Sequence, residues 1–300
     1  MYDIIVIGGG PAGLTAALYA RRANKTVLVI EKESFGGQIT HSPKVENIPG
    51  FLELSGNEFA DKLLSQAMEQ GAEIEVAEVT EIINGEIKTV VSDSGNFEAK
   101  SIIIATGAKH RLLGLSREVD FIGNGISFCA VCDGAFYEGK DVIVIGGGNS
   151  ALQEALMLSE LCNKVTIVQN LDTLTGEQKL RDLIYKRENI EVICGHVVKE
   201  LKGEDELTAI IIEGKNGTKE LKLDGMFVAI GLIPQNEFAK NVIELNNYGY
   251  AVANESCLTG IDGIYVAGDC RQKKIRQVVT AASDGATAAL AACDYVDSLK

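Results

Sequence analysis

"YDIIVIGGGPAGLTAALYARRANKTVLVIEK", residues 2–32, and "KDVIVIGGGNSALQEALMLSELCNKVTIVQN", residues 140–170, align without a gap, Tyr2 opposite Lys140, at a constant offset of 138. Each copy holds an apolar run of strand length, a glycine cluster, a helix-length segment and a second apolar run. That order predicts a βαβ unit of a parallel sheet. In the first copy Gly8, Gly10 and Gly13 form G-x-G-x-x-G between strand and helix. Glycine at those places allows a tight turn and close backbone approach, and the helix N-terminus faces a pyrophosphate. Glu31 ends the second strand, where a carboxylate suits ribose hydroxyls. The motif alone is weak; strand, helix and acid together make a dinucleotide-binding unit.

The second copy keeps Gly146 and Gly148 and has Ala151 at the third place. The offset sets Gln169 opposite Glu31, and its neighbours Asn170 and Leu171 carry no charge. The expectation is a unit that retains its fold without its grip on a nucleotide.

The repeat extends past the glycine loops. "SGNEFADKLLSQAMEQG" (55–71) predicts an amphipathic helix with a capping box from Ser55 and Glu58. Strands and hairpins follow, with a turn at Asn84-Gly85, and a matching block follows the second copy. The expected fold is α/β, two Rossmann-like domains of the three-layer ββα kind, the second inserted into the first. The boundaries place residues 1–112 with 237–300 and leave 113–236 as the insert.

Composition narrows the function. Three hundred residues suffice for two domains with sizeable cores. A net charge of −14 argues against nucleic acid or an anionic membrane as the main partner. No apolar run is long enough to span a bilayer. The chain passes from Met1 directly into a strand pattern, with no cleavable signal, so the cytoplasm is the expected compartment. Among seven cysteines only Cys129 and Cys132 form a close pair. C-x-x-C is either a redox pair or half a zinc site. The three histidines and the other cysteines are scattered singly, which argues against zinc, and no metal is expected. Cys132 is followed by Asp133, an acid able to shuttle a proton as thiolates form and leave.

Five ordered motifs resemble the low-molecular-weight thioredoxin reductases over nearly the whole chain. They are "GGGPAG" (8–13), "GGQITHSPKVENIPGF" (36–51), "ATGA" (105–108), "CAVCDG" (129–134), and "YVAGDC" (265–270) with "RQVVTAASDGATAA" (276–289). The resemblance implies FAD in the first unit and a homodimer. It carries flavin binding onto Gly8, Gly10, Pro11, Ala12 and Gly13 of the first loop, and onto Glu31. It extends to Gly37, Gln38, Asn47, Val79, Thr106 and Gly107, and to Asp269, Arg276, Gln277 and Val278 near the end. It makes Cys132 the flavin-proximal sulfur, Cys129 the sulfur that attacks thioredoxin, and Asp133 the acid/base.

NADPH-dependent members of that family carry a histidine and arginines where this chain has "QNLDTLT" (169–175), with Asn170, Leu171 and Thr175 at the arginine places. Arginine's planar fork is the natural grip for a 2′-phosphate. The subgroup that takes electrons from ferredoxin resembles this pattern better. Ferredoxin is therefore the expected donor and thioredoxin the expected substrate. "CRQKKIRQ" (270–277), with Arg271, Lys273, Lys274 and Arg276, is the expected docking patch for an acidic carrier. Two alternatives stand beside this reading: a conventional NADPH-dependent reductase with an atypical nucleotide site, and a flavin redox sensor without turnover.

Overall fold

In the computed structural model, which describes residues 1–299, the chain divides into two units, Met1–Lys109 with Ile233–Lys300 and His110–Leu232. The first unit opens with β1 (Tyr2–Ile7), α1 (Pro11–Arg22) and β2 (Val27–Glu31). The four residues that end β1 and the first four of β2 are buried. Strands covered on both faces need such continuous apolar runs. Pro11 starts α1 and Arg21 and Arg22 sit in its last turn, each favoured at its end of a helix.

Next come α2 (Gly56–Glu69), β3 (Glu73–Val76), β4 (Val79–Ile83), β5 (Lys88–Ser92) and β6 (Gly95–Ile104). Ser55 caps α2 by accepting the N–H of Glu58 at 3.1 Å. Half of the expected capping box is therefore present, and the Glu58 carboxylate pairs with Lys62 instead. β6 joins the parallel and antiparallel parts of one seven-stranded sheet. Its residues from Gly95 to Ala99 pair antiparallel with β5, and those from Ala99 to Ile104 pair parallel with β1. Burial changes at the same point, from mostly exposed to almost wholly buried.

β7 (Ala108–His110) leads across to the second unit, which contains β8 (Ile126–Ser127), α3 (Ala130–Asp133), β9 (Asp141–Ile145), α4 (Asn149–Ser159) and β10 (Lys164–Gln169). Then follow α5 (Gln178–Ile184), β11 (Ile190–Cys194), β12 (His196–Gly203), β13 (Leu207–Gly214), β14 (Gly217–Lys222) and β15 (Gly225–Val228). β16 (Leu232–Pro234) pairs with β7, and the chain returns to the first unit for β17 (Ile264–Val266) and α6 (Val278–Ser298). Asn236 belongs with that first unit: its amide donates to the carbonyls of Gly249 and Cys270.

The units repeat one topology. The parallel strands run β3-β2-β1-β6-β17 in the first and β11-β10-β9-β15-β8 in the second, each with an antiparallel three-strand layer. One difference follows from the insertion. The outermost strand comes last in the first unit, as β17, and first in the second, as β8. The segment after β17 carries Asp269, and the segment after β8 carries Cys129 and Cys132.

Each fully buried Ile, Val or Leu of the central strands contributes about 1.5–3 kcal/mol. Around α1 the packing is of small residues. Ala12, Ala16, Ala17 and Ala20 lie in one buried cluster with Ala281, Ala288, Ala289 and Ala292 of α6. A Cβ on Gly285 would lie 2.1 Å from the carbonyl oxygen of Ala12, so the two helices approach as closely as glycine allows. No helix among the described residues is long and apolar enough to cross a membrane.

Candidate active site and cofactor cradle

The first glycine loop is closed from two sides. A Cβ on Gly13 would lie 1.8 Å from the carbonyl oxygen of Gly8, and Gly8 has a φ of 110° that favours glycine. Gly10 is different. A Cβ there would meet nothing nearer than 3.9 Å, at Gly36 and Gly37, and would project into an open cradle. Glu31 accepts the N–H of Gly9 at 2.7 Å with one carboxylate oxygen and that of Glu33 at 3.0 Å with the other. Gly37 and Gln38 begin a 3-10 turn beside the loop, and Pro11 and Ala12 open α1. Val79 stands two residues after Ala77, whose N–H donates to the carbonyl of Glu31.

The end of the chain comes back to this loop. A Cβ on Gly268 would lie 2.8 Å from that of Ala12. Asp269 follows it with one carboxylate oxygen buried and unpartnered among the described residues, and burial pushes that carboxyl up, against the pull of Lys273 and Arg276. Asn47 donates to the side chain of Gln277 at 3.4 Å, and Val278 begins α6. Thr106 donates to Asn236 at 3.2 Å, with Gly107 beside it at a φ of 66°. An open phosphate cradle, a carboxylate at the ribose position and an orphaned buried acid are what a flavin dinucleotide requires, so the residues fit FAD.

The basic cluster is not a docking patch. Arg271, 3% exposed, faces Asp284 with its guanidinium at 3.2 and 3.3 Å, and Lys273 reaches the same carboxylate at 2.8 Å. Arg276 lies over the Tyr250 ring and donates to the Asp269 carbonyl. Lys274 alone of the four is exposed. The expectation fails because a buried carboxylate on α6, distant in sequence, takes up two of the charges. Asp284 also accepts the N–H of Gly268, so it anchors the loop that carries Asp269.

In the second unit Cys129 and Cys132 form a disulfide across the short helix α3. Backbone N–H groups of Cys132 and Asp133 donate to the Cys129 carbonyl at 3.1 and 3.0 Å. Asp133 accepts from the Ser127 hydroxyl at 2.6 Å, and burial holds its carboxyl above the usual range against that hydrogen bond. Sequence reasoning passed over Ser127, Asn236 and Asp284. Ser127 precedes Cys129 by two residues, but nothing in that spacing signals a contact with Asp133.

The second glycine loop keeps the geometry of the first with different chemistry. Gly146 has a φ of 131°, and its N–H donates to Val168. The Gln169 side chain lies where a Cβ on Gly147 would meet it at 2.5 Å. Among the described residues its amide bonds only within its own loop, to the N–H of Asn170 at 3.1 Å and the carbonyl of Thr173 at 3.4 Å. Lys215 reaches this loop and pairs with Asp172, while Arg181 turns back to Leu174 and Gln178.

A family model described as pyridine nucleotide-disulphide oxidoreductase matches residues 2–285. The chain belongs to that family. Curated relatives place it among the thioredoxin reductases. That of Listeria monocytogenes is 42% identical over 304 residues, covering 100% of this chain and 95% of the relative. A 34.2 kDa protein in the rubredoxin operon of Clostridium pasteurianum is also 42% identical, covering 98% and 97%. The crystal structure of thioredoxin reductase from Streptococcus pyogenes matches with a TM-score of 0.95 at 39% identity, covering 99% of each chain. This pyridine nucleotide-disulphide oxidoreductase is thus an FAD-binding flavoprotein with thioredoxin reductase function, and the α/β fold with Rossmann-like sheets is that of its relatives.

Proposed function

We propose that the chain reduces thioredoxin through the Cys129–Cys132 pair with electrons from reduced ferredoxin, and that its second nucleotide site is unused. The observation that carries this reading is Gln169. Where Glu31 offers a carboxylate, Gln169 is an amide bonded to its own loop, and no basic side chain lies between Gln169 and Gly176. NADPH would lack arginine contacts from this loop to its 2′-phosphate, each worth more than about 1.5 kcal/mol, and Lys215 beside it is paired with Asp172. The redox gap suits the donor. Plant-type ferredoxin clusters lie near about −400 mV and thioredoxin near about −270 mV, so a pair of electrons falls by about 6 kcal/mol.

Gly8, Gly10, Pro11, Ala12, Gly13, Gly37 and Arg276 would hold the phosphates of FAD, and Glu31 and Val79 the adenosine end. Gln38, Asn47, Thr106, Gly107, Asp269, Gln277 and Val278 would hold the remainder. FAD, when bound, supplies the chemistry that turns single electrons into a pair.

In the reduced protein the Cys129 thiolate attacks one thioredoxin sulfur. A mixed disulfide forms, the thioredoxin disulfide breaks, and the departing sulfur takes the electron pair and a proton from Asp133. Cys132 then attacks Cys129, which restores the Cys129–Cys132 disulfide and releases reduced thioredoxin. Both steps conserve the pair of electrons that the disulfide received. The protein would work as a homodimer in the cytoplasm, as the family resemblance implies.

A second reading, NADPH as donor, is favoured by the family's own description as pyridine nucleotide-linked. The test is anaerobic reduction of the purified flavoprotein by NADPH, NADH and reduced ferredoxin, side by side. Fast reduction by ferredoxin alone is expected; prompt bleaching by NADPH would establish the second reading.

A further inference from the structure

Ser127 stands outside the C-x-x-C-D motif, yet its side chain touches both ends of it. Its main chain is fixed by strand pairing, with Ser127 opposite Phe227 of β15. Its side chain is buried, 5% exposed. The hydroxyl donates to the Asp133 carboxylate at 2.6 Å, and the same oxygen accepts the backbone N–H of Cys129 at 3.1 Å. One oxygen atom at the end of β8 therefore links the acid to the first residue of the disulfide turn.

We infer that Ser127 is a positioning residue for thioredoxin reduction: its hydroxyl ties the Asp133 carboxyl to the Cys129 backbone, so proton donor and disulfide are held as one body. The inference rests on the acid/base role of Asp133 proposed above. Turns of four residues such as α3 have little rigidity of their own. Without the serine, the Asp133 side chain has no other hydrogen-bond partner among the described residues and can rotate away from the sulfurs. Misplacement by about 1 Å costs on the order of 100-fold in rate where geometry is critical.

The hydroxyl also acts on the proton. Donation to a carboxylate favours its ionised form, so Ser127 offsets part of the rise that burial imposes on Asp133. The titratable groups around this acid are few, and in the reduced protein they include the Cys129 and Cys132 thiols of the same turn. Tyr137 follows on the next turn and is pushed up to about 12 by burial, then by Asp133 and Glu206. α4, packed on α3, brings Glu154, and β15 brings none.

The test is a single turnover. Holoprotein reduced by dithionite is mixed with oxidised thioredoxin across a range of pH, for wild type and for Ser127→Ala. The expected result is a maximum rate about tenfold lower and an alkaline limb moved up by about one pH unit, with FAD content unchanged. Ser127→Thr and Ser127→Val differ only by hydroxyl against methyl, so Thr should outrun Val even if the added branch slows both. A wild-type rate and pH limb in Ser127→Ala, or equal behaviour of Thr and Val, overturns the inference. Asp133→Asn separates the two levels of the argument. If Asp133→Asn is slow and Ser127→Ala is normal, only the positioning role is lost. If Asp133→Asn reacts at the wild-type rate, the acid/base role fails and the serine's role fails with it.

Discussion

The guanidinium of Arg271 faces the Asp284 carboxylate with two nitrogens, at 3.2 and 3.3 Å, and both side chains are buried. Lys273 completes the group. Removing one member of a buried ion network leaves uncompensated charge, which costs about 3–5 kcal/mol. Asp284→Ala should therefore lower stability by that amount in chemical denaturation and release FAD, because the Gly268 N–H loses its acceptor. Full flavin retention with an unchanged unfolding midpoint would contradict this.

The first glycine loop leaves no room at Gly13. Gly13→Ala places a methyl 1.8 Å from the Gly8 carbonyl, so helix or loop must shift. The protein should purify with little FAD, read as the ratio of flavin to protein absorbance. Ala151 takes the equivalent place in the second loop, so Ala151→Gly should leave flavin content unchanged.

Glu154 sets a pH dependence of stability. Burial alone pushes its carboxyl up to about 7, and one oxygen has no hydrogen-bond partner among the described residues. The folded protein then binds a proton that the unfolded chain has released, so stability falls as pH rises from about 4.5 through about 7. The penalty is absent below the unfolded pKa and complete above the folded one, about 3 kcal/mol. Glu154→Gln should gain that stability at pH 8 and little at pH 4.5. Parallel unfolding curves for the two proteins at both values would count against it.

The disulfide carries the activity in the proposed function. Cys129→Ser and Cys132→Ser should both retain FAD and abolish thioredoxin reduction, and Cys132→Ser should also alter the flavin spectrum. Turnover in either variant would reassign the site, and turnover in neither, with an intact cellular role, would favour a sensor.

The second glycine loop predicts a gain of function. Asn170→Arg with Thr175→Arg would return two charge-assisted contacts to a 2′-phosphate, together worth about 3 kcal/mol, or roughly 100-fold in affinity. NADPH-driven thioredoxin reduction should rise by that order relative to NADH. No change in the NADPH:NADH ratio would mean the loop does not face the nucleotide.

The sequence by itself determined the repeated βαβ units, the glycines and their helices, and the C-x-x-C pair, because each depends on residues within one short segment. Strand and helix periods are local, and Gly13 is required by the Gly8 carbonyl five residues away. It also carried the contrast between Glu31 and Gln169, since the repeat aligns them. The tertiary structure decided what charge and hydroxyl groups do. "CRQKKIRQ" has the composition of an open basic patch, but Asp284 on another element buries Arg271 and Lys273. Ser127 is an ordinary strand residue until the chain turns through α3 and brings Asp133 to 2.6 Å. Burial of a polar group depends on partners that meet only when the chain is folded, and no local pattern records them.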